Sequence, residues 1–392
     1  MLKVLHCRGL SCFATFSNLL RIPMTQPWYT IDDVADVATP ALAVYPDRVE
    51  ENLRRMIARA GDVERLRPHI KTHKMPGVVR SMLELGITKF KCATIAEAEM
   101  LAQCGAADVL LAYQPVGPNA RRLAQLAAKY RATRFSAIAD DAGAVRALSA
   151  AMVDMGQSVE VLLDLDVGMH RTGIAPGPAA LELYRLIASL PGLVPGGLHV
   201  YDGHIRAIEV AARTDEAEAA YAAVEQLRAP LQAAGLPVPR ITCGGTPTFP
   251  IHAARIEREC SPGTCVFWDH GYATRYPDLD FLPAALLLTR VISRPTDNRL
   301  CLDLGYKAVS PDNPDPRVYL LDLPDAKAVG HSEEHLAIES PRAKEFAVGD
   351  VLYGVPYHIC PTVALHSEAV IVRNHRTAGT WPVTARERKL TI

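Results

Sequence analysis

The sequence has no charge of one sign to spare: 42 lysines and arginines stand against 43 aspartates and glutamates, a formal charge of −1 over 392 residues. Such balance offers no global field for nucleic acid or an anionic membrane, so the expected partner is a small molecule. No stretch approaches the ~18 uninterrupted apolar residues of a membrane-crossing helix. The nine cysteines are odd in number and scattered singly. They argue against a disulfide framework and fit reduced thiols in the cytoplasm. Low-complexity tracts are lacking, as is any internal repeat beyond a strand–helix unit. Also missing is a glycine-rich dinucleotide turn after the first strand, which weighs against an open doubly wound sheet. The chain is long for one core, so two are expected.

The opening MLKVLHCRGLSCFATFSNLLRIP carries basic residues and no acid but lacks the apolar centre of a targeting peptide. Translation from Met24 is the simpler reading, and residues 1–24 are set aside from the fold. Residues 25–37 read as a lead-in strand or segment that joins a β domain. From Thr39 onward β-rich runs alternate with amphipathic helical ones. The strand candidates are ALAVY (41–45), RPHIK (67–71), KFKCAT (89–94), DVLLAY (108–113), RFSAIA (134–139), VEVLLDLD (159–166), LVPGGLHVY (193–201) and PRITCGG (239–245). Eight strand-then-helix units are what a closed (β/α)8 barrel of the TIM type requires, assigned to residues 38–278. After about residue 280 the strand-like runs ALLLTRVISRP, NRLCLDLGYK, RVYLLDLP, LAIES, DVLYGVPYHIC, ALHSEAVIVRN and TWPVTA are separated by Pro, Asn, Asp and Gly with no long helical pattern between them. Residues 279–392 are therefore expected to form a C-terminal all-β domain.

In such a barrel the chemistry gathers at the C-terminal ends of the strands. RPHIKTHK (67–74) puts Lys71 at one of them, beside His69, His73 and Lys74. A lysine in a cavity that depresses its pKa is a nucleophile toward a carbonyl compound; a lysine at a strand end is also, commonly, a solvated charge. CGGTPT (243–248), with Gly244, Gly245 and Thr246, has the freed backbone N–H groups and hydroxyls of a phosphate cradle, or of an ordinary strand-to-helix turn. SPGTCVF (261–267) offers Gly263 and Thr264 for the same purpose, or a link to the second domain. DLDVGMHRTG leads to Arg171, a fixed cation suited to an anionic oxygen, and HVYDGH leaves Tyr201 and His204 at the next strand end, an imidazole placed for proton transfer. In YHICPTVALH, His358 and Cys360 are two apart, which on an extended chain puts both on one face. Imidazole with thiolate suits a divalent metal, zinc above manganese or magnesium, though two such residues alone are also, commonly, structural. His366 and HSEEH (331–335) are further candidates for ligands or for partners of the ligands, HSEEH being equally a solvated loop.

TPALAVY, RPHIKTHK, CATIAEAE, DVGMHRTG, VYDGH, CGGTPT, CLDLGYKAVS, HSEEHL and HICPTVALH, in unbroken order from Thr39, resemble the D-threonine aldolase and D-serine dehydratase group of alanine-racemase-like, fold type III pyridoxal phosphate enzymes. The resemblance implies a homodimer whose β domain helps close the partner's site, and a small D-amino acid substrate. It implies Lys71 as the Schiff-base lysine and Gly245 and Thr246 among the phosphate contacts. Arg171 matches the position nearest the cofactor's phenolic oxygen, with Tyr201 on the pyridine side, His204 as base and a metal on His358 and Cys360. D-Threonine aldolases of this group often have aspartate where Cys360 stands, and histidine–cysteine pairs are typical of the dehydratases. PTVALH with WPVTARERKL is closer to the aldolase branch. D-Threonine aldolase is thus the leading expectation, with a D-serine or 3-hydroxyaspartate-type dehydratase the alternative and a non-catalytic pyridoxal phosphate carrier behind both.

Overall fold

The computed structural model describes residues 26–392; the extension assigned to residues 1–24 lies outside them. Four helices start on proline: Pro46–Ala60, Pro76–Glu84, Pro118–Lys129 and Pro178–Ser189. A first helical turn leaves its N–H groups unpaired anyway, and the ring's fixed φ suits that position, so each proline converts an extended stretch into a helix at a defined residue.

Strand β1 (Ala41–Val44), expected to open the barrel, lies elsewhere. It pairs antiparallel with β9 (Ala285–Thr296) and parallel with β15 (Glu368–Arg373), inside the β domain. Both its faces are buried and a helix follows it, which is also the signature of a barrel strand, so local pattern alone cannot separate the two. The barrel sheet runs in simple parallel order through β2 (Lys89–Cys92), β3 (Asp108–Leu111), β4 (Arg134–Ala139), β5 (Val159–Leu165), β6 (Leu193–Val200), β7 (Ile241–Cys243) and β8 (Glu259–Cys260). The eighth position is filled by residues 66–69. Leu66 bridges Cys260 and His69 bridges Lys91, while the Arg67 N–H donates to Cys260 O at 2.9 Å and the Lys91 N–H to Pro68 O at 2.9 Å. Pro68 has no N–H, so this segment closes the barrel without being a regular strand. The count of eight stands, with two corrections: 41–45 leaves the barrel, and Glu259–Cys260 enters it.

Strand alternation sends Arg67, Asp108, Arg134, Glu160, Arg240 and Glu259 into the N-terminal end of the bore. Arg67 is fully buried and bonds Asp108 at 2.5 Å and Glu259 at 2.9 Å; Arg134 pairs with Asp108, and Arg240 with Glu160. Above this ring Leu110, Ile138 and Leu162 pack as an apolar plug.

The β domain is a sheet in the order β12 (Lys327–His331), β13 (Leu336–Glu339), β10 (Arg299–Leu302), β9, β1, β15 and β16 (Arg376–Pro382), with β14 (Val351–Pro356) bonded to β9 and to β11 (Val318–Leu320). The described part of the lead-in, residues 26–37, contains a turn and the short 3-10 helix Val34–Asp36 but no strand; Trp28 and Tyr29 pack on the sheet against Tyr45 and Tyr353. No helix among the described residues is long and apolar enough to cross a membrane.

The charged ring generates a stability prediction. Burial alone pushes the Asp108 carboxyl up, but Arg67 and then Arg134, by hydrogen bond and charge, overcome it and hold the group at about 2 against an ordinary 3.8. A depressed carboxyl stabilises fully above its unfolded pKa, and the gain is lost as pH falls through the folded value, here between about pH 4 and about pH 2. Arg67→Met is expected to cost roughly 3–5 kcal/mol in urea unfolding near neutral pH, and to flatten that acid limb. Wild-type stability in the variant at both pH values would contradict the ring.

Candidate active site

Beyond the closing segment the chain turns through the 3-10 helix Ile70–Thr72. Ile70 and Thr72 are buried, which leaves Lys71 to face a cavity of about 1080 Å³ at the C-terminal end of the barrel. The His69 ring orders this turn, its Nδ1 accepting the Lys71 N–H at 3.3 Å. Burial, and next the charge of Lys71, hold the His69 pKa well below the ordinary imidazole value. Lys71 Nζ has no ion-pair or hydrogen-bond partner among the described residues and lies 5.9 Å from the Tyr201 ring centre. Lys74 is a different case. Its ammonium is bound to the fully buried Glu97, whose other oxygen accepts the Ala93 N–H at 2.6 Å. His73 is buried too, and burial drives its pKa down to about 3. Of the four basic side chains in the octapeptide after Arg67, only Lys71 is both at the cavity and unpaired.

Tyr201 stands at the centre of a group of cations: Arg171 Cζ is 4.9 Å and Lys91 Nζ 5.8 Å from its ring centre. Arg171 is presented by a turn that Asp166 ties together, accepting from the Gly168 and His170 N–H groups at 3.0 Å each. Gly245, Thr246 and Thr264 also line the cavity. They come from the loops after β7 and β8, and the Thr246 hydroxyl joins those loops by accepting the Gly263 and Thr264 N–H groups at 3.2 and 3.1 Å. A Cβ at Gly245 would stand 3.3 Å from the Tyr201 ring and occupy the space between them. An amine, paired hydroxyls beside glycines and an unpartnered arginine fit an aldehyde that carries a phosphate and a ring oxygen.

His358 and Cys360 both line the cavity, from the β-domain side. They are not on an extended chain: Cys360 lies in the helix Ile359–Val363, which His358 precedes and which Pro361 helps to start. Cys360 Sγ is 3.2 Å from Thr72 Oγ1, so the thiol and the Lys71 turn are in contact across the domains. His358 Nδ1 is 2.5 Å from Asp312 Oδ2. Burial pushes the His358 imidazole down, but Cys360 and then Asp312 outweigh it and raise it to about 9; the Cys360 thiol, pushed up by burial, is lowered by the same pairing. No group of three or more His, Cys, Asp and Glu arranged to hold a metal occurs among the described residues. His366 Nε2 donates to Ala308 O, His331 sits against Leu304 O and Arg317, and Glu333 pairs with Lys307, so none of these joins the pair.

His69, His204, Gly244 and Gly263 do not line the cavity. His204 is half-buried, its Nε2 packed where a Gly168 Cβ would come within 2.7 Å, and its Nδ1 has no partner. Sequence reasoning missed Asp312, Thr72 and Lys91. Lys91 is 2% exposed, its Nζ 3.4 Å from His199 Nε2, with His199 Nδ1 2.7 Å from Asp164. Burial, then Lys71, bring the Lys91 amine down to about 7. A lysine inside the apolar-looking run KFKCAT was the one available signal.

The match to known proteins agrees with this geometry. Residues 44–270 match the family model of the alanine racemase N-terminal domain, and residues 284–372 that of a putative serine dehydratase domain. The chain belongs to the alanine-racemase-like family, in the branch that joins these two domains. It is 33% identical to a D-threonine aldolase of Arthrobacter sp over 374 residues, covering 93% of this chain and 96% of that one. The crystal structure of D-threonine aldolase from Filomicrobium marinum superposes with a TM-score of 0.84 at 31% identity, over 90% of this chain and 96% of the other. D-threo-3-hydroxyaspartate dehydratase from Delftia sp. HT23 superposes with a TM-score of 0.75 at 26% identity, over 89% and 98%.

The two lysines are separable by stability. Lys74→Met leaves the buried Glu97 unpaired and is expected to cost roughly 3 kcal/mol in denaturant unfolding of the cofactor-free protein, whereas Lys71→Met is expected to cost nothing measurable. Equal losses would mean that Lys71 is a structural cation.

Proposed function

We propose that this chain is a pyridoxal phosphate- and divalent-metal-dependent lyase that cleaves D-β-hydroxy amino acids, D-threonine foremost, to glycine and an aldehyde. The observation that carries the reading is Lys71, an amine without an ion-pair partner at a cavity shared with Thr246, Thr264, Arg171 and the His358–Cys360 pair. Lys71 Nζ is the nucleophile toward the cofactor's aldehyde, with His69 ordering its backbone. Gly245, Thr246 and Thr264, on the turns that Gly244 and Gly263 shape from behind, would hold the phosphate, Arg171 would face the ring oxygen and Tyr201 would wall the pyridine side. Bound there, pyridoxal phosphate supplies electron withdrawal from the substrate's α-carbon.

His358 through Nε2 and Cys360 through Sγ hold the metal, which supplies Lewis-acid polarisation of the β-hydroxyl. Asp312 fixes the His358 ring through Nδ1, as metal-binding imidazoles require. A nitrogen–sulfur pair favours zinc over manganese or magnesium. The family resemblance assigns His204 the proton of the β-hydroxyl; its ring lies half-buried behind the lining residues Gly203 and Ile205, its Nδ1 without a partner among the described residues. A cytoplasmic homodimer completes the reading: the seven cysteines of the described residues are all free, and the family resemblance implies the dimer.

One observation favours a second substrate and product. Arg122, Arg206, Arg275 and Arg388 join Arg171 around the cavity, while its aspartates, Asp202, Asp269 and Asp312, are already engaged by the wall. The surplus of cations suits a second carboxylate, as in the substrate named for the Delftia enzyme, with dehydration to a 2-oxo acid and ammonia.

Product analysis decides between them. Protein loaded with pyridoxal phosphate and zinc is expected to release glycine and acetaldehyde from D-threonine, and a chelator to abolish the reaction until metal is restored. 2-Oxobutanoate and ammonia would mean a dehydratase; no product from a panel of D-β-hydroxy amino acids would mean a carrier and overturn the proposal. His204→Asn is expected to lower kcat by about 10²-fold or more, while borohydride still fixes pyridoxal phosphate on Lys71. An unchanged kcat would remove this imidazole from the reaction.

A further inference from the structure

Asp202 lines the cavity, yet it is only 3% exposed and both its oxygens are committed. Oδ1 accepts the Thr248 hydroxyl at 2.9 Å and Oδ2 accepts His252 Nε2 at 2.7 Å. The remaining ring nitrogen of His252 faces Arg258 Nη1 at 3.2 Å. A guanidinium only donates and a carboxylate only accepts, so His252 Nδ1 presents its lone pair and the ring proton sits on Nε2. Arg258 is in turn held by Glu218 at 3.1 Å and lies 3.4 Å over the Tyr221 ring. The chain of bonds thus runs from a surface carboxylate through two buried side chains to Asp202, with every proton assigned.

It ends on the turn after β7. The Thr248 hydroxyl, having given its proton to Asp202, accepts the Gly245 N–H at 3.3 Å. Gly244, at φ +70°, rests directly on the network: a Cβ there would fall 2.5 Å from His252 Cδ2 and 2.9 Å from Thr248 Oγ1. Only glycine fits both the backbone conformation and the space. The shape of the Gly244–Thr248 turn is therefore moulded from behind by Asp202, Thr248 and His252, while its front lines the cavity. With both oxygens engaged by Thr248 and His252, Asp202 is fixed in that wall and serves as an anchor for the turn.

We propose that Asp202 is a positioning residue for the phosphate of the cofactor: it locks Thr248 and His252 so that the Gly244–Thr248 turn is preformed for a phosphate ester. The inference rests on the pyridoxal phosphate reading above. The test titrates the full chain, freed of cofactor, with pyridoxal phosphate and with pyridoxal, which has the same aldehyde and ring but no phosphate, and follows absorbance. Asp202→Asn is expected to raise the dissociation constant for pyridoxal phosphate about tenfold and to leave that for pyridoxal unchanged. Thr248→Val, which keeps the side chain's shape and removes the bridging hydroxyl, is expected to do the same, and decides the matter if the aspartate variant does not fold.

Equal loss of both ligands would show that Asp202 touches the ring or merely supports the fold, and affinities equal to wild type would show that the turn needs no anchor; either overturns the inference alone. Wild-type protein that binds neither ligand would instead overturn the pyridoxal phosphate reading.

Discussion

Closure of the barrel through residues 66–69 is the constraint on which the rest depends. This segment bonds β8 on one side and β2 on the other, and its side chains alternate between the helices outside and the bore inside. Leu66 and Ile70 pack outward into the core. Arg67 points into the bore and closes the ring with Asp108 and Glu259; His69 follows, and then Lys71 at the rim. Six consecutive residues, 66–71, thus shut the sheet, bury a charge and aim an amine. A side chain on an element held from both sides is placed more narrowly than one on a free loop.

The interior of this barrel is polar at both ends and apolar in between. At the bottom, arginines pair with carboxylates around the ring. At the top, Lys91, His199 and Asp164 form a buried polar floor under Tyr201 and Lys71. The Leu110, Ile138 and Leu162 plug isolates the two. Unpaired charge is costly in such surroundings, so the groups that remain unpaired, Lys71 foremost, stand out as those kept for something that arrives later.

The β domain is part of the site. Its first strand precedes the barrel in sequence, and its contacts converge on the barrel mouth: Cys360 on Thr72, the Ile359 N–H on Asp269 at 3.1 Å, and the Thr391 N–H on the buried Glu99 at 2.8 Å. Amine and metal-type donors come together because these contacts dock the helix Ile359–Val363 on the Lys71 turn.

Alternating strand and helix patterns made the barrel legible, and the change of beat near residue 280 marked the second domain. Lys71, Gly245, Thr246, Thr264, Arg171 and the His358–Cys360 pair could be singled out as candidates by residue type, and the fold brings them to one cavity, whereas Gly244 and Gly263 lie off it. What remained hidden was partnership over long separation. Pattern reports that residues 41–45 are buried on both faces but not against which sheet, and two residues at 259–260 are too few to show a period. Asp202, Asp312 and Lys91 look like ordinary acids and a lysine until His252, His358 and His199 are brought against them. The sequence by itself determined the local elements and the inventory of reactive groups, since both are properties of short stretches. Only the tertiary structure decided which of those groups are neutralised and which are left open, since burial and pairing are set by residues far away along the chain.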